Sequence, residues 1–257
     1  MKKIISIILA LVMALSLCAC GGGGGRYKSI KTLGHQQYSI GFRLGDSTYH
    51  YIDAALRELG KKGTVDALSS KWFGSSSTVN MPSGGDKLKE LGYIAPRSFI
   101  IGVDLDSYPM CFEADGGYTG FDVELAKAVC ELLGWELRIQ PIHSEDAYVE
   151  LNSGNIDCAW GGVVLDTEST DYTILYTYMS TDIVVAGLTN SIKNKSLYMG
   201  TADTYMSLIE ENKSLARRLS QITRVHGGAT DYFAYLNSGE CQLIITTAAA
   251  VEYANSH

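Results

Sequence analysis

Residues 119–141 read TGFDVELAKAVCELLGWELRIQP. Phe121, Leu125, Ala128, Val129 and Leu132 fall on one face at helical spacing, so the pattern predicts a helix over 121–133. Gly134 supplies the residue that can take the left-handed stop. Residues 136–141 (ELRIQP) then read as a strand. A helix of this kind set between short strands is the repeating unit of an α/β fold.

The same alternation extends outward on both sides. Upstream, residues 99–103 (FIIGV) form a buried strand, and 38–42 (YSIGF) a short one. Residues 48–59 are helical, with Tyr51, Ile52, Ala55, Leu56 and Leu59 on one stripe, and 65–72 add a second short helix. Residues 74–86 (GSSSTVNMPSGGD) are a polar connector without a period of its own. Downstream, 145–152 are helical, 156–160 a strand, and 181–188 (TDIVVAGL) an extended apolar run. A second, smaller set follows: strand 196–200, helix 205–219, strand 223–226, helix 230–236 and strand 242–246. The tetrapeptide LNSG occurs at 151–154 and at 236–239, each time closing a helix and opening a strand. A shared turn accounts for the repeat, and so do two similarly built lobes. The expected fold is α/β, with mostly parallel sheets flanked by helices.

The first twenty residues stand apart. Lys2 and Lys3 precede an apolar run over 4–17 that is too short to span a bilayer. It ends in Leu17-Cys18-Ala19-Cys20-Gly21, which resembles a bacterial lipobox. In that class of signal, Cys20 is lipidated and becomes the first mature residue; an ordinary cleaved signal peptide is the alternative. Residues 21–25 are all glycine and read as a flexible tether. No strand precedes them, so they are not a phosphate-binding loop.

The formal net charge is −7, and without Lys2 and Lys3 the balance is 19 basic against 28 acidic residues. That excess disfavours nucleic acid and electrostatic binding to anionic lipid. After Cys20, four cysteines remain (Cys111, Cys130, Cys158 and Cys241), each in an apolar setting and in no disulfide framework. They read as buried thiols, although export would permit a bridge. No GxSxG, HExxH or Walker motif occurs, and carboxylates at these spacings make no calcium loop. The chain is therefore expected to be no enzyme and to carry neither metal nor cofactor.

TGFDVELAKAVCELLGW (119–135), ELNSGNIDCAWGG (150–162) and DYT (171–173) together resemble the extracellular solute-binding proteins of ABC importers, amino-acid type. The resemblance reaches from Arg26 to His257, with 119–162 its specific part. It implies a two-lobed periplasmic-binding-protein-like fold that closes a hinge around a solute. In that family the chain runs from lobe 1 to lobe 2 and back, finishing with an FRxGD strand, a long helix and a helix ending in KWFG. Here those finishing elements, Phe42-Arg43-Leu44-Gly45-Asp46 and Lys71-Trp72-Phe73-Gly74, come before the usual beginning. The resemblance thus implies a circularly permuted order, with residues 75–97 joining the ancestral termini. Lobe 1 would comprise 36–189, and lobe 2 would comprise 190–257 plus 26–35. A fusion scar ahead of a truncated second protein is the alternative.

By family position, the ligand-binding residues would be Asp104, Tyr108 and Phe112 after the first strand of lobe 1. Trp160, Gly161 and Gly162 would follow the strand ending at Trp160, with Glu168 beyond them. Thr201 and Asp203 would follow Gly200, and Thr247 the strand ending at Thr246. Phe112 and Trp160 read equally as core. The departures from the family are concentrated here. The arginine that clamps an α-carboxylate is replaced by Glu168 or, in the neighbouring register, Ser169. The aspartate that holds the α-amine is Thr247, the glycine-serine pair opening the lobe 2 helix is Ala202-Asp203, and an expected aromatic is Ser144. The cleft loops hold Asp104, Asp106, Asp166, Glu168 and Asp203 with no lysine or arginine, which suits a cationic solute unless these are merely solvated loop acids. The five histidines are scattered, and none is expected in a cleft loop.

The resemblance accordingly implies a lipid-anchored, monomeric, extracytoplasmic receptor. It would capture a small polar solute, an amino acid or an amine, for an ABC permease. A degenerate or sensory binder on the same fold is the alternative, and a dehydratase-like enzyme a more distant one.

Overall fold

Residues 26–75, 78–226 and 229–257 are described by the computed structural model; the expected signal peptide with Cys20 and the expected glycine tether lie outside the described residues. In chain order the first elements are β1 (Lys28–Arg43), α1 (Tyr49–Lys61), α2 (Thr64–Phe73), α3 (Lys87–Glu90) and β2 (Ser98–Val103). A hairpin of β3 (Phe112–Ala114) and β4 (Gly117–Thr119) leads into α4 (Phe121–Leu133), β5 (Glu136–Pro141), α5 (Ala147–Ser153) and β6 (Cys158–Ala159). The long β7 (Tyr172–Gly187) precedes β8 (Lys195–Met199), α6 (Asp203–Glu211), α7 (Lys213–Ala216) and β9 (Leu219–Arg224). The chain closes with α8 (Ala229–Ser238), β10 (Leu243–Thr247) and α9 (Ala248–Ser256).

Eight strands form one sheet in the order β5-β2-β6-β1-β7-β10-β8-β9. β2 pairs in parallel with β5 and β6, and β8 in parallel with β9 and β10. The two middle strands run antiparallel to each other and to their flanking neighbours. Each of them is 16 residues long, roughly 50 Å at the usual rise per residue, which is enough to run through both halves of the molecule.

Two halves follow from where the apolar residues gather. One core combines Tyr38, Ile40 and Phe42 of β1 with Phe99, Ile101, Leu125, Trp72 and Trp160. The other half has Val184 and Ala186 packed with Phe233 and Ile244 on one sheet face, and Ile183 and Val185 packed with Leu197 and Ile209 on the other. The molecule is two-lobed, and its α/β character matches the expectation. Residues 183–186 of β7 pack with this second set of residues, whereas Tyr178 and Met179 pack with the first.

Element existence followed the sequence closely, with differences of physical origin. Residues 28–37 (KSIKTLGHQQ) show no alternation and were not read as strand; they are held by the ladder to β7, from Lys28 opposite Gly187 to Gln37 opposite Ser180. The helix expected over 205–219 breaks at Asn212, whose side-chain amide donates to the Leu208 carbonyl at 2.9 Å and competes with the backbone ladder. The four cysteines after Cys20 are buried free thiols. The two ends of the described chain meet: the Tyr27 amide donates to Asn255 Oδ1 at 2.8 Å, and Asn255 Nδ2 donates to the Tyr27 carbonyl at 2.9 Å.

Candidate functional site

A cavity of about 660 Å³ opens where the crossing strands pass between the lobes. His35, Gln36 and Gln37 of β1 and Ile183 of β7 line it at the crossing. The residues after β2, β5 and β6 supply one side (Asp104, Asp106 and Ser107; His143, Ser144, Glu145, Ala147 and Tyr148; Val164 to Thr167), and Thr201, Ala202, Thr204 and Tyr205 supply the other. Each of these segments follows the carboxyl end of a strand, the edge at which α/β sheets present ligand sites.

Asp104 organises the first side. Its Oδ2 accepts from the Ser144 amide at 3.0 Å and the Ser144 hydroxyl at 2.5 Å, and its Oδ1 accepts from the Asp106 amide at 3.0 Å. Ser144 Oγ accepts in turn from the Val164 amide at 3.0 Å, so one carboxylate ties three loops together. Asp106 reaches across the cleft, accepting from the Tyr232 hydroxyl of α8 at 3.4 Å. Burial, reinforced by the Asp104 charge, pushes the Asp106 carboxyl up to about 6. At the crossing, His35 Nδ1 lies 2.7 Å from Asp182 Oδ1.

Beneath this wall lies Asp122 of α4, fully buried. It accepts from the Tyr178 hydroxyl at 2.6–2.7 Å, the Gly162 amide at 2.8 Å and the Trp160 indole at 3.3 Å. Burial pushes its carboxyl up to about 7 against the pull of those donors. The glycines beside it are steric necessities. A Cβ on Gly161 would lie 2.4 Å from Val103 Cγ1, and one on Gly162 would lie 2.2 Å from Ser107 Cβ.

Of the residues expected to bind ligand, Asp104 and Thr201 line the cavity. The others are placed elsewhere. Tyr108 packs edge-on against Phe112 and Tyr253 and tilts against Phe233, so its ring is set among the chain's own aromatics. Phe112 also meets Trp72. Trp160 is core. Gly161 and Gly162 serve the contact between loops, and the Gly162 amide is spent on Asp122. In the loop after β6 the acid at the cavity is Asp166, not Glu168; Asp166 Oδ1 accepts from the Glu168 amide at 3.0 Å and sets the turn. Asp203 opens α6 and pairs with Arg224 at 3.1 Å, outside the cavity. Thr247 caps α9, its Oγ1 accepting from the Ala250 amide at 3.2 Å.

The reading of the histidines needs correction: His35 and His143 both line the cavity. The polar HQQ triplet at 35–37, set between apolar strand residues, was the signal for the crossing. Tyr148 and Tyr172 also line the site; Tyr172 lies in the DYT triplet, whereas Tyr148 carried no signal in the sequence. Among the described residues no lysine or arginine lines the cavity, and no group of three or more His, Cys, Asp or Glu could hold a metal ion. No helix among them is long and apolar enough to cross a membrane.

The chain is 26% identical over 121 residues to the arginine-binding extracellular protein ArtP of Bacillus subtilis (strain 168), a match covering 46% of this chain and 47% of that protein. It is 30% identical over 97 residues to the probable amino-acid-binding protein YxeM of the same organism, covering 37% of each. The chain thus spans about half the length, or less, of the curated relatives it matches. Among solved structures, an ancestral arginine-binding protein bound to arginine is 19% identical, with a TM-score of 0.43 over 62% of this chain and 73% of that one. A substrate-binding protein of an ABC uptake transporter from Streptococcus pneumoniae with bound histidine is 21% identical, with a TM-score of 0.41 over 61% and 68%. Residues 99–239, just over half of the chain, match the family of bacterial extracellular solute-binding proteins, family 3, and the chain belongs to that family.

Proposed function

We propose that this protein is the solute receptor of an ABC importer, taking a small polar solute of amino-acid or amine type into the cleft between its lobes by hinge closure. The observation that carries this reading is the cavity itself: about 660 Å³, bounded by loops of both lobes and floored by β1 and β7, which run through both. Two lobes joined by two strands can swing with little change in either core, which is the mechanical requirement for closure. The arginine-binding and amino-acid-binding names of the relatives agree with a solute of this size.

In this proposal the chain order is permuted. Residues 26–73 supply the returning strand and the last two helices of lobe 1, and 75–97 join what were once the two ends. The Asn255–Tyr27 contact supports it, because α9 leads in space directly into β1. Cys20 would carry lipid and hold a monomeric receptor outside the cytoplasmic membrane, with the permease as partner. A degenerate or sensory binder is the second reading. It is favoured by one observation: Tyr108, Phe112, Glu168 and Thr247 all spend their side chains away from the cavity.

The test is a thermal-shift screen of residues 26–257 against amino acids, amines, small peptides and sugars. A ligand present at a hundred times its dissociation constant adds about 2.7 kcal/mol to the unfolding free energy. A clear rise in Tm with one class supports the receptor. A cooperative melt with no responding class contradicts it and leaves the second reading.

A further inference from the structure

Four carboxylates line the cavity (Asp104, Asp106, Glu145 and Asp166), and among the described residues no lysine or arginine opposes them. The two imidazoles do not balance this set. His35 is already paired with Asp182, and His143 faces the Asp104 and Asp106 side. The helix starts at the cavity edge are also occupied by negative charge. α6 carries Asp203 in its first turn, and the short turn leading into α5 carries Glu145 and Asp146. A ligand carboxylate would therefore find neutral donors such as Gln36, Gln37 and Thr201 but no lysine or arginine to offset the four acids.

The four acids are not equivalent. Asp104 has its oxygens filled by Ser144 and the Asp106 amide, and Asp166 is engaged in its own turn. Asp106 accepts one long bond from Tyr232 and otherwise faces Asp104, His143 and Tyr205, none of which offers it a fixed positive charge. The rest of the lining mixes uncharged polar groups, among them Gln36, Gln37 and Thr201, with apolar and aromatic ones, including Tyr148, Val164, Leu165 and Ile183. Resting on the receptor reading above, we propose that the solute is an amine that carries no carboxylate, its ammonium held by Asp106 with Asp104 behind it and its apolar body laid against Tyr148 and Val164. The same arrangement makes Asp106 the residue that sets specificity, since an ammonium would add a short, charged partner to a carboxylate that holds only the long Tyr232 bond beside His143.

The test compares amino acids with their decarboxylated forms by titration calorimetry on residues 26–257: agmatine against arginine, cadaverine against lysine, tyramine against tyrosine. At least one amine should bind ten-fold or more tightly than its amino acid. Asp106→Asn should weaken that amine at least ten-fold while keeping a cooperative melt, and the wild-type affinity should fall as the pH is lowered below about 6, where Asp106 takes up its proton. Tighter binding of the amino acid in every pair overturns the proposal, as does an amine affinity untouched by Asp106→Asn. Should that variant fail to fold, the paired comparison in the wild type decides alone. Binding only of sugars or peptides overturns this inference and leaves the receptor standing; binding of nothing overturns both.

Discussion

At Gly162 the backbone φ is 76°, and an added Cβ would come within 2.2 Å of Ser107. Gly63 has the same φ but nothing within 4 Å of an added Cβ. The two glycines separate backbone strain from steric overlap. Gly63→Ala should cost about 1 kcal/mol, the left-handed penalty alone. Gly162→Ala adds overpacking and should cost about 3 kcal/mol; urea denaturation of both variants measures the difference. Asp122 and Asp106 give the protein a pH dependence at the same scale. Both carboxyls are raised from an ordinary 3.8 to about 7 and about 6. The folded state therefore holds more protons than the unfolded chain between about pH 4 and pH 7, and stability falls as the pH rises through that window. Melts from pH 4.5 to 7.5 should show Tm declining. Asp122→Asn should flatten that slope while lowering Tm overall, because the amide cannot accept from the Tyr178 hydroxyl, the Trp160 indole and the Gly162 amide together. A variant with an unchanged slope would refute the assignment.

The elements show which parts of the site could be read before the structure. α4 and β5 match their expected ranges, because an apolar stripe closed by Gly134 and a short strand behind it leave little freedom. β1 was half legible. Tyr38, Ile40 and Phe42 announce a buried strand, whereas Lys28 to Gln37 gain their conformation only from pairing with β7, which no local pattern records. The same blindness hid Tyr108 and Phe112: their aromatic rings suit a ligand equally well, and only the packed structure sets Tyr108 against Phe233 of α8 and Tyr253 of α9, and Phe112 against Trp72 and Tyr108. Thr247 was legible in principle, as a threonine followed by three alanines is a helix start. Asp104 and Thr201 were found because they follow strand ends. The contact from α9 to β1 also carries a prediction. Asn255→Ala removes two hydrogen bonds to the Tyr27 backbone and should cost about 2 kcal/mol. Faster exchange should be confined to the start of β1 and the end of α9.

For the whole molecule, the account stands on the first part of the chain being the middle of the sheet. β1 lies between β6 and β7, and its residues 38–42 are buried within the larger core. Remove that strand and the sheet divides into β5-β2-β6 and β7-β10-β8-β9, with β7 left unpaired to the other strands of lobe 1. A permuted receptor and a fusion scar therefore differ in one measurable respect. The measurement is hydrogen exchange on residues 26–257, comparing the amides of 38–42 with those of 99–103 in β2. The account predicts equal protection, with both segments opening only in global unfolding. Rapid exchange throughout 26–73 beside a protected 98–247 would contradict it.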